Sequence, residues 1–257
     1  MPSAPPPTHS RKPARVARSR GAKTSLRITR TLKKRAVEIL DLLDELYPQA
    51  GTELDYGNHF ELLIAVILSA QCTDVRVNMV TPALFTAFPD AEALALVEAE
   101  EVEPYIKTCG LFRSKARNLV KCSRDLVSLH GGNVPSGREE LEALAGVGRK
   151  TANVVLSNAF ETDAIAVDTH VFRLSRLMGL SKANGAEAVE RDLMAILPQD
   201  RWNKAHHTLI WHGRRCCKAR KPECPRCPVA HLCPGEESYP DDISEAMLSA
   251  AETVSTT

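Results

Sequence analysis

Apolar side chains recur at helical spacing along much of the chain. Leu32, Ile39 and Leu43 belong to one such stripe, which ends before Pro48, as expected for one face of an amphipathic helix. Residues 59–70 are apolar at almost every position, and this predicts a central helix that is buried on all sides. Alternation with a period of two, which marks a half-buried strand, is absent from the sequence.

Local start and stop signals divide the rest of the chain into further helices. Asp74 and Asp90 are candidate caps, Thr81-Pro82 predicts a new helix with proline in its first turn, and Ser136 with Glu139 resembles a capping box. Aromatic residues make up only 5% of the chain, which favours helices over sheets. We predict an all-α fold of about ten helices. The remaining predicted helices span residues 91–99, 114–129, 150–160, 169–178, 186–197 and 202–212.

Charge is distributed unevenly along the chain. The first 37 residues hold 11 of the 33 Lys and Arg and none of the 32 Asp and Glu. Residues 1–29 also lack large apolar side chains, so we predict a disordered basic tail. It is interpreted as a solvated tail or as an arm that attracts phosphate; a transit peptide is a weaker interpretation because prolines interrupt it. Residues 241–257 are predicted to form a disordered acidic tail.

A glycine-rich turn precedes the helix predicted to start near Lys150. Gly146 and Gly148 permit a tight turn and a close approach of a ligand to the backbone. The unpaired N–H groups at a helix start suit an anion such as a DNA phosphate, although a plain connection between helices has the same pattern. The helix dipole disfavours an ammonium at Lys150, and a neutral amine there could act as a nucleophile. An ordinary surface lysine is the alternative.

Asp168 precedes another predicted helix, in the segment Val167-Asp-Thr-His170. Taken alone, an aspartate in this position is most simply a helix cap. Taken together with Lys150, it provides a carboxylate that can accept a proton or stabilise a cationic sugar. The two residues are therefore candidate catalytic partners.

Four of the eight cysteines are clustered near the C-terminus with the spacing C-x6-C-x2-C-x5-C, at Cys217, Cys224, Cys227 and Cys233. No secretory signal is apparent at the N-terminus, and in a reducing compartment clustered cysteines indicate a metal site rather than disulfides. Four thiolates can bind zinc or an iron–sulfur cluster, and the spacing alone does not distinguish between them. The adjacent Cys216 falls outside the pattern and is predicted not to be a ligand.

The segment from Gly146 to Ala152, followed by Val167-Asp-Thr-His170, resembles the helix-hairpin-helix DNA glycosylases, and in particular the endonuclease III family. The resemblance covers residues 31–235. It implies that Lys150 attacks the sugar C1′ of a flipped nucleotide, with Asp168 assisting, and that the resulting Schiff base allows β-elimination. It also implies that the four cysteines hold a [4Fe–4S] cluster.

The same resemblance implies two helical domains with the active site in the cleft between them. Residues 52–162 would form a helical barrel that contains the hairpin, and residues 30–51 with 163–240 would form the iron–sulfur cluster domain. An enzyme that acts on a stacked base must extrude it from the duplex. The resemblance implies that Gln71 fills the gap left by that base and that Leu111 wedges between bases, although a core leucine is the alternative for Leu111.

Other DNA contacts are predicted at the hairpin and beyond it, at Gly146, Gly148, Arg149, Thr151 and His170. Two basic groups are candidate phosphate contacts, with solvated surface as the alternative for both. One follows the predicted wedge (Arg113, Lys115, Arg117, Lys121, Arg124), and the other surrounds the first cluster ligand (Arg214, Arg215, Lys218, Arg220, Lys221).

The predicted activity is that of a bifunctional DNA glycosylase and abasic-site lyase that removes oxidised pyrimidines from double-stranded DNA. The alternatives are a monofunctional adenine glycosylase, which would lack the lysine, and a noncatalytic DNA-binding module with structural zinc. We expect a monomer without membrane association, because the longest apolar run is too short to span a bilayer. The expected location is the bacterial cytoplasm, at the nucleoid.

Overall fold

The computed structural model describes residues 26–235, so the predictions for the acidic tail, and for the basic tail except residues 26–29, lie outside the described residues. Within this range the chain forms eleven α-helices, three short 3-10 turns and no strand, which confirms the all-α prediction. The helices are α1 (Arg30–Leu46), α2 (His59–Ser69), α3 (Asp74–Ala87), α4 (Ala91–Ala95), α5 (Ala99–Ile106), α6 (Phe112–His130), α7 (Arg138–Glu142), α8 (Arg149–Ala159), α9 (Thr169–Leu177), α10 (Ala186–Ile196) and α11 (Trp202–Arg215).

Four local predictions about helix boundaries are wrong. Helix α3 is capped by Thr73 and not by Asp74, because the Thr73 side chain accepts the Arg76 N–H, and the helix runs through Pro82 without a restart. Its buried face continues on both sides of the proline, and this packing outweighs the lost hydrogen bond. The predicted helix 91–99 is divided into α4 and α5. No capping hydrogen bond forms at the start of α7, where Gly137 rather than Ser136 is the cap.

A first hydrophobic core is built from residues 54–164. Helix α2 lies at its centre, and the eight residues Phe60 and Leu62–Leu68 are all buried, as the sequence predicted. Helices α3, α6 and α8 pack against α2. The glycine turn between α7 and α8 therefore lies at the edge of a rigid aliphatic core.

A second core is built from residues 36–50 and 165–229. Helix α9 packs against α10 and α11, and α1 packs against α10 and α11 as well. The chain passes from the first core to the second along the buried segment 164–167, which leads directly to Asp168. We propose that each core corresponds to one of the two domains predicted from the sequence, with the same boundaries. Among the described helices, none is both long and apolar enough to cross a membrane.

Candidate active site and cluster segment

The hairpin turn places Lys150 in the first turn of α8. Gly146 has a φ of 79°, and a Cβ there would lie 3.0 Å from the Cβ of Asn118, so a larger residue would be strained in two ways. Gly148 is the N-cap of α8, and Lys150 is the second helical residue and is exposed. The predicted helix start is confirmed, and the Lys150 amine is available to a ligand.

Asp168 is the N-cap of α9, as the sequence indicated. Its side chain accepts the backbone N–H of Val171 at 2.8 Å, and the residue is half-buried. One carboxylate oxygen is therefore engaged by the helix, and the side chain is held in a fixed orientation.

Two observations indicate that Lys150 and Asp168 lie in the same part of the fold. Asn153, fully buried and one turn after Lys150, donates from Nδ2 to the carbonyl of Ile165 at 2.8 Å, which ties α8 to the segment before Asp168. His170 lies within electrostatic reach of both residues: burial lowers its pKa, Asp168 opposes that shift, and Lys150 adds to it. The amine and the carboxylate therefore share one neighbour.

His170 itself is seated on the backbone of α11. A Cβ on Gly213 would lie 2.9 Å from Nδ1 of His170, so only glycine permits this approach. The imidazole is half-buried, and its lowered pKa favours the neutral ring. This environment is that of a packed residue next to the catalytic candidates. Its predicted role in DNA binding remains a prediction.

Most of the basic residues near the end of α11 are paired with acids. Arg214 contacts both Glu53 and Asp74, with 2.9 Å between Nη1 and the Asp74 Oδ2, and it lies within electrostatic reach of Asp168. Arg215 contacts Glu53 at 2.9 Å and stacks on the Trp211 ring at 3.5 Å. These two arginines link α11 to Glu53 and Asp74, and their role as phosphate contacts stays a prediction.

Arg149, predicted to contact DNA, forms an ion pair across the two cores. Its Nε and Nη2 donate to the two carboxylate oxygens of Glu190 at 2.8 and 3.0 Å. Thr151 is half-buried in the same turn of α8. Sequence reasoning missed Glu190, and the available signal was an acid directly beside the apolar stripe of α10, which includes Val189 and Leu193.

The two predicted intercalating residues lie on neighbouring loops. Gln71 and Leu111 both have left-handed backbones, with φ of 53° and 57°, and both are exposed. A Cβ on Gly110 would lie 3.3 Å from the carbonyl oxygen of Gln71. Leu111 is 56% exposed, which excludes the core-leucine alternative. Two non-glycine residues in this rare conformation indicate a strained, exposed pair of loops.

The basic stripe predicted after Leu111 is only partly a surface feature. Lys115 is buried and donates from Nζ to the carbonyl of Leu68 at 2.9 Å, and burial lowers its pKa. Arg124 donates to the carbonyls of Ala95 and Val97. Lys115 ties α6 to the end of α2, and Arg124 ties α6 to the end of α4. The prediction of a phosphate contact is therefore wrong for Lys115, whose side chain is buried.

The four predicted ligands meet in the segment after α11. Burial raises the pKa of the Cys233 thiol, and the Cys217, Cys227 and Cys224 thiols raise it further, so all three lie within electrostatic reach of Cys233. Arg173, itself buried, donates to the Cys217 carbonyl at 2.5 Å and lies 3.7 Å from its Sγ. A donor set of four thiols with a cationic donor beside one sulfur fits an iron–sulfur cluster.

A second group of possible metal ligands, different from the predicted four cysteines, lies at this segment. The ligand atoms of His212, Cys216 and Cys227 lie within 4.8 Å of one another, and His212 Nε2 is 3.5 Å from the Cys227 Sγ. His212 also contacts the Tyr47 hydroxyl through Nδ1 at 3.3 Å. His212 and Cys216 therefore lie beside Cys227, which is one of the four predicted ligands.

Two family models match the chain. The model of the HhH-GPD superfamily of base excision DNA repair proteins matches residues 64–199. The model of the iron–sulfur binding domain of endonuclease III matches residues 217–233, which run from the first predicted ligand to the last and leave out Cys216. The predicted iron–sulfur cofactor is thereby confirmed, and zinc is no longer an alternative.

Curated relatives and solved structures agree with these matches. Endonuclease III of Synechocystis sp. is 51% identical over 214 residues, covering 83% of this chain and 98% of the relative. Endonuclease III of Escherichia coli K12 is 47% identical, covering 80% and 97%. A solved structure of a trapped endonuclease III–DNA covalent intermediate matches with a TM-score of 0.77 and 46% identity, covering 81% and 97%. A thermostable thymine-DNA glycosylase, at 22% identity and a TM-score of 0.72, shares the fold.

The chain therefore belongs to the HhH-GPD superfamily of base excision DNA repair proteins. Within that superfamily it is a member of the endonuclease III family, and it is a DNA glycosylase with abasic-site lyase activity. The hairpin lies within the residues matched by the first family model, and the cluster segment is the part matched by the second.

Proposed function

We propose that this protein excises oxidised pyrimidines from double-stranded DNA and cleaves the resulting abasic strand through a Schiff base on Lys150. The observation that carries the proposal is the arrangement of Lys150 and Asp168. Each lies at the start of a helix, the buried Asn153–Ile165 contact ties α8 to the segment that leads to Asp168, and His170 lies within electrostatic reach of both residues. An exposed amine and an oriented carboxylate are the two groups that the reaction needs.

In the proposed reaction, Asp168 accepts a proton from the Lys150 ammonium and so provides the neutral amine. Lys150 Nζ then bonds to C1′ of the extruded nucleotide as the bond between C1′ and the base breaks, and the base leaves with its electron pair and takes up a proton. The amine then loses a proton, the C1′–O4′ bond breaks, and O4′ takes up a proton, so the opened sugar is left as a protonated imine on Lys150. Loss of a C2′ proton then breaks the C3′–O bond, which cleaves the strand on the 3′ side of the lesion.

DNA is the proposed partner, and the predicted contacts have distinct roles. The exposed N–H groups at the start of α8, after Gly148, would receive a phosphate of the damaged strand. Gln71 and Leu111 would occupy the space left by the extruded base and so offset part of its unstacking cost. The similarity to an endonuclease III solved in a covalent complex with DNA supports this arrangement.

The cluster segment has a proposed structural role. When bound, the cluster would pin Cys217, Cys224, Cys227 and Cys233 in one fold, and this would hold the end of α11 in place. Two residues lie at that end: Gly213, which packs against His170, and Arg214, which lies within electrostatic reach of Asp168. We further propose that the protein acts as a monomer on the chromosome in the bacterial cytoplasm, in keeping with the bacterial origin of its relatives.

The test is a panel of duplex oligonucleotides, each with one defined site: thymine glycol, an abasic site, or adenine opposite 8-oxoguanine. We expect cleavage of the first two and little action on the third. Lys150→Gln should abolish strand cleavage, and Asp168→Asn should slow base release by about 100-fold or more, the usual size for a general acid–base group. Preferential release of adenine would favour the monofunctional alternative. Binding of all duplexes without cleavage would favour a noncatalytic module.

A further inference from the structure

We infer that Glu190 is a positioning residue, which acts through Arg149 to hold Lys150 in its reactive place. The inference rests on the proposed Lys150 chemistry and adds to it a residue of the second core that touches neither DNA nor the reacting atoms. It also gives Arg149 a role different from the DNA contact that the sequence suggested.

The geometry around Glu190 is that of a fixed clamp. Glu190 lies on α10 and is 3% exposed. Arg149 approaches it with Nε at 2.8 Å from Oε2 and Nη2 at 3.0 Å from Oε1, a two-pronged arrangement that fixes the plane of the guanidinium. Arg138, from α7 on the other side of the glycine turn, donates to Oε1 at 3.2 Å. One buried carboxylate therefore holds both sides of the hairpin.

A second observation explains why this clamp matters for the first turn of α8. The helix begins at Gly148 without any capping side chain, so its first turn lacks the hydrogen bond that usually stabilises a helix start. Arg149 is the first residue of this turn and Lys150 is the second. The contact of Arg149 with Glu190 substitutes for the missing cap, because it fastens the same turn from outside the helix.

The clamp also connects Lys150 to its catalytic partner. Helix α10 packs against α9, whose first turn is capped by Asp168. Glu190 thus relates the start of α8 to the start of α9, while Asn153 fixes the next turn of α8 to Ile165. A buried ion pair gains little stability over an apolar contact of the same size, but it fixes the orientation of the two side chains. A fixed orientation of the first turn of α8 would place the Lys150 amine correctly for attack on C1′ beside Asp168.

The competing interpretation is that Arg149 is a phosphate ligand and that Glu190 competes with the phosphate for its guanidinium. The two interpretations predict different effects of neutralising Glu190. If Arg149 binds phosphate, removal of the competing charge frees the guanidinium and tightens DNA binding. If Arg149 is the link to Lys150, the same change loosens the first turn of α8 and slows chemistry without improving affinity.

The experiment compares wild type, Glu190→Gln and the matched control Glu187→Gln under single-turnover conditions on a thymine glycol duplex. Glu187 lies about one turn earlier on α10 and forms an exposed pair with Arg191. It acts on Arg149 electrostatically but forms no hydrogen bond with it, so Glu187→Gln removes a charge near the clamp without removing the two-pronged contact. We expect Glu190→Gln to lower the rate constant at saturating enzyme by about 10- to 100-fold, the range for a misplaced reacting group. The enzyme concentration that gives half the maximal rate should change far less, and Glu187→Gln should match wild type.

A second variant guards against misfolding. Arg149→Lys keeps the positive charge but loses the two-pronged contact, and we expect the same loss of rate with unchanged helical circular dichroism and iron–sulfur absorbance. If Glu190→Gln does not fold, Arg149→Lys decides alone. A wild-type rate in a folded variant, or tighter DNA binding by Glu190→Gln, would overturn the inference. Failure of the wild type to cleave would instead contradict the proposed function.

Discussion

The two cores of this protein bury different kinds of side chain. In the first core the buried polar and charged residues are few: Thr81, Lys115, Ser123, Asn153 and Ser157. The second region buries Arg173, Glu190 and three histidines, at positions 206, 207 and 212, together with small hydroxyl residues. The first core is held mainly by aliphatic contacts, whereas the second also depends on polar groups that must find partners.

Polar contacts and the cluster segment hold the second region together. The Arg35 side chain donates to the carbonyls of Met178, Gly179 and Leu232 at 2.7–2.9 Å, and Arg173 contacts Cys217. The chain from Cys217 to Leu232, which contains no α-helix, is thereby attached to α9 at its first residue and to α1 at its last. We therefore expect that loss of the cluster or a drop in pH destabilises the second region more than the first.

Loss of a cluster ligand should have the largest effect on the structure, and it should affect the two regions differently. Cys224 is exposed, so Cys224→Ala removes little packing, and we expect it to abolish iron–sulfur absorbance and amide protection in α9–α11 while α2 and α8 stay protected. Hydrogen exchange measures this directly. Cys216→Ala is the control and should keep the absorbance. Equal loss of protection in both regions would show that the two cores do not differ in their dependence on the cluster.

A cavity in the first core should lower stability in a different way. Leu63→Ala removes a fully buried side chain, and we expect a loss of about 2–5 kcal/mol in the free energy of unfolding. Because none of the buried residues that form this core is a histidine, the loss should be the same at neutral and mildly acid pH. Denaturant unfolding at both values tests this, and a pH-dependent loss would contradict it.

The second region should weaken in acid through His207. Burial lowers the pKa of His207 to about 4, with Lys204 adding to the shift. Because the folded-state pKa lies below the unfolded value, the neutral ring is favoured in the fold, and stability falls as the pH drops below about 6.5 towards 4. The shift corresponds to about 3 kcal/mol.

The control for this pH effect is His207→Leu, which removes the titrating group and keeps an apolar side chain of similar size. We expect its free energy of unfolding to depend less on pH across the same window. Denaturant titrations at several pH values provide the measurement. A variant with the full wild-type pH dependence would show that His207 is not the source.

Removal of a surface ion pair should have the smallest effect on the free energy of unfolding, whichever region it lies in. Lys121 pairs with Asp125 one turn away at 3.3 Å, and its side chain is 68% exposed. We expect Lys121→Ala to change the free energy of unfolding by no more than about 0.5 kcal/mol. Thermal unfolding would reveal a larger change, which would indicate a buried contact that the exposure of Lys121 does not suggest.

Features of this molecule that depend on local chemistry could be predicted from the sequence. The start of α8 at the glycine turn, the cap at Asp168, the central helix α2 and the cluster spacing are all set by residues close together in the chain. Relations between distant residues could not be predicted. Nothing local indicates that Arg149 pairs with Glu190, 41 residues away, or that Lys115 turns inward to the Leu68 carbonyl. Tertiary packing likewise overrides the local signal at Pro82.

The most direct test of the central claim is to identify the residue that becomes bonded to DNA. Borohydride reduction of the enzyme bound to an abasic duplex, followed by digestion and mass spectrometry, locates the adduct. The account predicts a deoxyribose remnant on Lys150, in the peptide that contains Thr151 and Ala152. An adduct on any other amine of the wild-type protein, with Lys150 unmodified, would contradict it.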